Sequence, residues 1–418
     1  MIRGLLVILF CLSGWGLKAN HILIPMDGVQ TNHLKAYGIA YHALKKGYEI
    51  QWLLNYRGGA FVLPFDADGR TECLLKGVSF EVIPDARLTA ILAEIASPEV
   101  NADAVKLEKA PRIAVYSPKE KKPWDDAVTL ALTYAEIPYD VVYDSEILDG
   151  RLKDYDWLHL HHEDFTGQMG KFYRNYRHMD WYKAEETANK QTAQKYEYRK
   201  ISELKKAVVR TIRDYVAAGG FMFAMCSATD TFDVTLAAMD VDICDVMFDG
   251  DPIDPDAQNK LDYSKTFAFR DFKLQLNPNV YEYSDIDMTD IRKVNEGDDY
   301  FLLFEFSAKW DPVPTMLCQN HENMIKGFMG QTTAFNRKLV KSNVLVMGEN
   351  KAAGEARYLH GEYGKGTWTF YSGHDPEDYQ HFVGDPITEL DLHKQSAGYR
   401  LILNNVLFPA ARKKQHKT

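Results

Sequence analysis

Cys226 ends the apolar run Phe221-Met222-Phe223-Ala224-Met225, and Ser227-Ala228-Thr229-Asp230 follow it with the polar character of a helix start. A buried strand, a thiol at its end and a helix opening behind it form the layout of a nucleophile elbow. Backbone N–H groups behind such a nucleophile hold a developing oxyanion, and a helix N-terminus favours the reactive thiolate. The turn is crowded, and Ala224 and Ala228, two residues to either side, are small enough for it. Far downstream, Tyr371-Ser372-Gly373-His374-Asp375-Pro376-Glu377 supplies a base and a carboxylate. His374 follows a strand and a glycine, at the edge where open α/β sheets place ligands. Together these residues spell acyl transfer. Cys226 attacks an amide or ester carbonyl, His374 moves the proton, and Glu377 fixes the imidazole tautomer. Ser227, beside the thiol, belongs to the expected pocket.

A rival constellation is His159, His161, His162, Glu163 and Asp164. Residues 159 and 161 of a strand share a face, so two imidazoles and a following carboxylate could ligate zinc or iron, with His374 or the His321-Glu322 pair nearby. The preferred reading makes His161, His162 and Glu163 pocket residues, assigns no metal to the site and expects no cofactor. No C-x-x-C pair is present, which removes the usual structural zinc spacing. The aspartates crowded over 245–300 lack the glycine and terminal glutamate of a calcium loop, so that segment reads as a solvated insertion.

The elements that must position these residues are written in α/β grammar. Residues 21–26 read as a strand, Thr31-Asn32-His33 as the cap of a helix ending at Gly47, and 49–54 as a second strand: β-α-β with short connections, which predicts parallel pairing. Strands at 61–63 and 78–83, a helix at 88–95 and a linker at 97–111 complete an N-terminal α/β segment, 20–110. That segment either extends the main sheet or forms a small separate unit. A second α/β run starts at Arg112, with strands at 113–116, 139–143 and 155–160. A helix from Pro123 to Ala135 lies between them. Residues 165–200, rich in Tyr, Lys, Gln and Glu, read as an insertion whose aromatics pack it onto the core. An amphipathic helix at 201–217 then leads to the elbow. Strands at 301–306 and 344–347, a hairpin of 356–362 and 367–371 across Tyr363-Gly364-Lys365-Gly366, and a closing element at 401–407 end the chain. The main domain is thus 111–418, with insertions at 165–200 and 245–300.

With 418 residues, 46% hydrophobic and 26% charged, the chain is of ordinary globular composition. A formal net charge of −10 argues against nucleic acid and anionic membrane surfaces as partners. The one cationic run, Arg412-Lys413-Lys414 with Lys417, reads as a solvated tail. Residues 1–19 read as a secretory signal: Arg3 is a positive start, 5–12 are apolar, and Leu17-Lys18-Ala19 precedes Asn20. Export to the periplasm or beyond is therefore expected, with no membrane span once the signal is removed and a small molecule as the partner. Cys73, Cys226, Cys244 and Cys318 would remain, and their spacing does not choose a disulfide pairing.

The elbow at 219–228, with Gly364-Lys365-Gly366 through Gly373-His374, resembles the class I glutamine amidotransferase-like superfamily over residues 112–245 and 344–407, including its trehalose-utilisation-type members. The resemblance implies a flavodoxin-like, largely parallel α/β core and a Cys226–His374–Glu377 glutaminase site. Alanines stand where the family elbow has glycines, and His374-x-x-Glu377 replaces the family's His-x-Glu. The stretches Gln30-Thr31-Asn32-His33-Leu34-Lys35-Ala36-Tyr37-Gly38 and Leu54-Asn55-Tyr56-Arg57-Gly58-Gly59 resemble uncharacterised exported bacterial proteins labelled asparagine synthetase B. The motifs do not support that label: the expected processed N-terminus is not cysteine, and no Ser-Gly-Gly-x-Asp loop is present. The expectation is an exported, Cys-dependent amide hydrolase. The alternatives are a non-catalytic ligand- or carbohydrate-binding protein on the same fold and a metal-dependent hydrolase built on residues 159–164.

Overall fold

The computed structural model describes residues 20–119, 123–311, 315, 322–380 and 382–411. The expected signal segment, the cationic C-terminal run, Cys318 and His321 lie outside the described residues.

Two sheets organise the chain. The first holds β1 (Asn20–Ile24), β2 (Ile50–Leu54), β3 (Ala60–Pro64), β4 (Glu81–Pro84) and β5 (Asp103–Leu107) in the order β4-β1-β3-β2-β5. Every pairing in it is antiparallel, which corrects the parallel reading of the N-terminal β-α-β. β2 and β3 are joined by Asn55–Gly59, short enough for a hairpin, and β3 takes the place beside β1 that β2 would have had. The linker reading of 97–111 also gives way, because β5 lies inside it. A helix over Ala67–Leu75, unforeseen in the sequence, is capped by the Asp66 carboxylate.

The second sheet has ten strands: β6 (Ile113–Tyr116), β7 (Asp140–Val142), β8 (Trp157–Leu160), β9 (Phe221–Met225), β10 (Tyr300–Leu303), β11 (Met324–Lys326), β12 (Phe335–Asn336), β13 (Leu345–Asn350), β14 (Glu355–Tyr363) and β15 (Gly366–Tyr371). Its order is β11-β10-β13-β14-β15-β9-β8-β6-β7, and β12 pairs with β14. The five strands from β7 to β15 run parallel. From β15 outward the pairing is antiparallel, beginning with the expected hairpin, whose Tyr363 faces Gly366 across the turn. The protein is therefore mixed α/β with a large mixed sheet.

Both faces of the parallel region are covered, as they must be where strands read as continuous apolar runs. Along β9, Phe221, Phe223 and Met225 point into one core, and Met222 and Ala224 into the other. The first core also contains Ile22, Tyr37, Trp52 and Phe61 of the N-terminal unit, so that unit is packed onto the main domain and does not extend its sheet. Its helix His33–Lys45 is capped by Asn32, whose side chain accepts the Lys35 N–H at 3.0 Å. That helix lies so close to the helix Ala127–Tyr134 that a Cβ on Gly38 would sit 1.9 Å from the Ala135 carbonyl oxygen. The buried Arg400, on the C-terminal helix Ala397–Leu407, ties the same joint by donating to the Met26 carbonyl and to Tyr37 Oη.

The helix expected from Pro123 begins at Ala127, because Asp126 caps it by accepting the Thr129 N–H at 2.8 Å. The 165–200 insertion contains the helix Asp180–Lys195. The 245–300 insertion is less solvated than its aspartates imply. Phe267, Phe269, Phe272 and Ile286 are buried, and the buried Asp233 carboxylate accepts the N–H groups of Phe267, Ala268 and Phe269 at 2.7–2.9 Å.

Candidate functional site

The parallel strands end on one edge of the sheet, and three of those ends build the site. β9 runs straight into the helix Ser227–Ala237 with Cys226 as the only residue between them. Its backbone angles, φ 53° and ψ −143°, lie in a region almost reserved for glycine. This is the strained strand-to-helix corner that the sequence pattern predicted. The Cys226 N–H donates to the Gly373 carbonyl at 3.1 Å, which fixes the elbow against the end of β15. The Ala228 N–H, one residue into the helix, donates to the His161 carbonyl at 2.9 Å, which fixes it against the end of β8.

Strain gathers here. Of the nine described non-glycine residues with positive φ, four (Met169, Lys171, Cys226 and Thr332) belong to the elbow and the two loops that cover it. Gln331 donates its side-chain amide to the Gly170 carbonyl at 3.3 Å, and the Gly373 N–H donates to the Thr332 carbonyl at 2.9 Å, so those loops touch each other and the β15 end. Concentrated strain of this kind points to function more than to stability.

The imidazoles converge. His374 Nε2 lies 3.0 Å from His162 Nε2. The rings of His161 and His162 stack at 3.8 Å between centroids, and the His374 ring lies 4.6 Å and 4.3 Å from them. Behind them, Asp126 Oδ2 stands 2.9 Å from His161 Nδ1 and 3.1 Å from His159 Nε2. Burial opposes ionisation of Asp126, but His161 and His159 outweigh it and hold the carboxyl well below its usual range. His162 Nε2 also lies 2.9 Å from the Asp125 carbonyl oxygen. Two expected pocket residues, His161 and His162, are thus brought beside His374, and Glu163 lines the cavity next to His162.

The expected catalytic triad does not assemble. Glu377 is turned away from His374. Its carboxylate pairs with Lys326 at 3.3 Å and His393 at 3.1 Å, because its own N–H is drawn to Asp375 Oδ1 in a tight turn after Asp375. The Cys226 thiol makes no hydrogen bond to His374, although both crowd Gly330: a Cβ there would meet His374 Cβ at 2.8 Å and Cys226 Sγ at 3.8 Å. Burial pushes the thiol up to about 12. The Ser227 and Gln331 amides pull it down, while the nearby Asp230 and Asp287 carboxyls push it further up. Ser227 is fully buried, and its hydroxyl finds no hydrogen-bond partner among the described residues.

A narrow cavity, with about 20 Å³ for the centre of a water-sized molecule, lies beside His162 and Glu163 and is lined also by Trp124, Phe172, Glu185 and Lys205. Neither Cys226 nor His161 nor His374 is among its lining residues. Glu163 Oε2 accepts the Tyr143 hydroxyl at 3.1 Å. The buried Lys205 ammonium in turn donates to Tyr143 and to the Asp144 carboxylate.

Sequence reasoning missed four residues of this site. Asp126 fell inside the helix expected from Pro123 and was read neither as its cap nor as the carboxylate behind two histidines. Asp230 stands one helical turn after Cys226, a spacing that could have flagged it. Asp287 and Thr332 come from distant loops and left no sequence signal. The Thr332 hydroxyl donates to Asp230 Oδ1 at 2.8 Å and its N–H to Asp287 Oδ2 at 3.0 Å. Burial, and then each other's charge in the case of Asp230, raise both carboxyls: Asp230 well above its usual value, Asp287 to about 6.

No protein-family model matches the chain, and no curated protein matches it. Among solved structures it is similar to a cytoplasmic protein from Salmonella typhimurium, at 9% identity and a TM-score of 0.36, over 72% of this chain and 100% of that one. A second cytoplasmic protein, from Salmonella typhimurium LT2, gives 12% identity and a TM-score of 0.33 over 72% and 100%. A β-galactosidase from Bacillus circulans sp. alkalophilus gives 9% and 0.26 over 65% of this chain and 29% of that one.

Proposed function

We propose that the protein is a hydrolase of amide or ester bonds whose reaction centre is the strand-end pocket beside the His161, His162 and His374 cluster. One observation carries the reading. The ends of β8 and β15 bring His162 and His374 within 3.0 Å of each other, and His162 lines the adjacent cavity, which Cys226 does not. Imidazole is the side chain best matched to taking a proton from water near neutral pH, and Asp126 holds the orientation of His161 from behind, as the carboxylate of a triad does. The run of five parallel strands and the strained elbow also support the finer amidotransferase-like, flavodoxin-like reading of this part of the chain.

A second reading keeps Cys226 as a covalent nucleophile. Its elbow angles favour it, since strain at a single residue between a strand and a helix serves to present that residue. The buried, neutral thiol and the diverted Glu377 weigh against it.

Turnover of a panel of p-nitrophenyl esters and p-nitroanilides separates the two. The imidazole reading expects His162→Gln and His374→Gln each to lower kcat by about 10²-fold or more, and Cys226→Ala to keep kcat within a few-fold. Loss of turnover in Cys226→Ala, with an acyl adduct mapped to Cys226 in the parent protein, would put the thiol reading in its place. An inert parent protein across the panel would count against both.

A further inference from the structure

We infer that His161, His162 and His374 form a binding site for a divalent transition-metal ion of the zinc class, with at least one coordination position open toward the pocket. The site is the one to which hydrolysis is assigned above; a metal held there would take over activation of the water from the imidazoles, and the two readings can fail separately.

The geometry is that of a ligand set. One ring nitrogen from each of the three histidines lies within 4.8 Å of the other two. A tetrahedral ion with bonds of about 2.0–2.1 Å sets its nitrogen ligands about 3.3 Å apart. His162 Nε2 and His374 Nε2 already stand at 3.0 Å, so the pair needs to open by only a few tenths of an ångström. His161 must turn further, and its Nδ1 is held at 2.9 Å by Asp126, which leaves Nε2 as its ligand atom. A carboxylate behind a ligating histidine is the usual outer partner in zinc sites, where it fixes the tautomer and the ring orientation. Asp126 does this for His161 and steadies itself on His159 and on the N-terminus of its own helix. Binding replaces the contact of His162 Nε2 with the Asp125 carbonyl oxygen.

Ligand chemistry narrows the occupant. Three neutral imidazoles suit zinc and its neighbours and are poor ligands for magnesium or calcium, which take oxygen. Three protein ligands with a fourth position open match the catalytic class of zinc site, not the closed structural class. Of the three histidines, His162 is the one that lines the cavity, beside Glu163 and Trp124. His161 and His374 are almost fully buried, so the three side chains are held together by the β8 and β15 ends, and His161 turns within the cluster to ligate.

The test is metal binding by the untagged full-length protein, stripped with chelator and titrated with cobalt(II) and zinc(II). The expected result is one equivalent bound with the visible ligand-field bands of four-coordinate cobalt, displaced by zinc. His374→Gln and His162→Gln should each abolish the bands, and the outer-shell variant Asp126→Asn should weaken binding about 10- to 100-fold. Asparagine still caps the Ala127–Tyr134 helix, so this variant separates ligand orientation from folding. His360→Gln, a buried histidine outside the cluster, should leave binding unchanged. Sub-stoichiometric cobalt, or full binding retained in folded His374→Gln, overturns the site. Ester or anilide turnover by chelator-stripped protein that binds no cobalt would keep the hydrolase and remove the metal. Stoichiometric binding in a protein inert toward the panel would do the reverse.

Discussion

The state of the Cys226 thiol decides between imidazole and thiol chemistry, and it is measurable without a substrate. The perturbation is a small disulfide reagent, 4,4′-dithiodipyridine, offered to the folded protein at pH 7. Burial raises the thiol from 9.0 to about 12, a shift of about three units that cuts the thiolate population about 10³-fold. A more basic thiolate is the better nucleophile, and a Brønsted slope of about 0.4–0.5 returns about 20-fold over that shift. The net expectation is reaction about 50-fold slower than an unperturbed thiol. Further slowing comes from burial of Cys226 at 2% exposure, since reagent must wait for local opening. Ionisation being incomplete throughout, the rate should climb about tenfold per pH unit from 7 to 10 without a plateau. Quenched time points digested and mapped by mass spectrometry keep Cys226 apart from Cys73 and Cys244, which are also free and buried. A Cys226 rate equal to or above that of glutathione at pH 7, levelling off near neutrality, would refute the reasoning. It would mean that His374 reaches the sulfur in solution and stabilises the thiolate, and the elbow would then be a working nucleophile.

Two further outcomes follow from the packing and the buried acids. Gly38→Ala should destabilise the protein by about 2–3 kcal/mol or more in urea unfolding, because the new Cβ would meet the Ala135 carbonyl at 1.9 Å. An unchanged midpoint would mean that the N-terminal unit is not seated on the main domain as described. Asp287, held at about 6 against an ordinary 3.8, binds its proton more tightly folded than unfolded. Its contribution is therefore fully present below pH 4 and is lost as pH rises through 6, by at most about 3 kcal/mol. Asp287→Asn should flatten the fall in unfolding free energy between pH 4 and 7 by about that amount, and a parallel pH profile for the two proteins would sink the assignment.

Local grammar was legible where chemistry is local. The Cys226 corner could be read from small alanines, an apolar strand and a polar helix start, and its backbone angles have the expected strain. The β14–β15 hairpin was readable from Gly364-Lys365, and the Asn32 cap from its own side chain. His161, His162 and His374 could be named because histidines at strand ends are conspicuous. Their partners could not. Glu377 looked like an orienting carboxylate three residues from His374, but a turn at Asp375 sends it to Lys326 and His393. The N-terminal β-α-β could not disclose that β3 would insert between β1 and β2, since the order follows from the β2–β3 hairpin and from the β1–β3 pairing, which joins segments some forty residues apart.

By itself the sequence determined which residues carry reactive groups and which short segments present them, because hydrophobic periodicity, caps and turn glycines act over a few residues. Only the tertiary structure decided which of those groups meet. The register of β8, β9 and β15 places His162 against His374 and leaves Cys226 beside them, its thiol pushed up by burial. The strands are distant in sequence, so the contact that matters most exists only after the parallel sheet has closed.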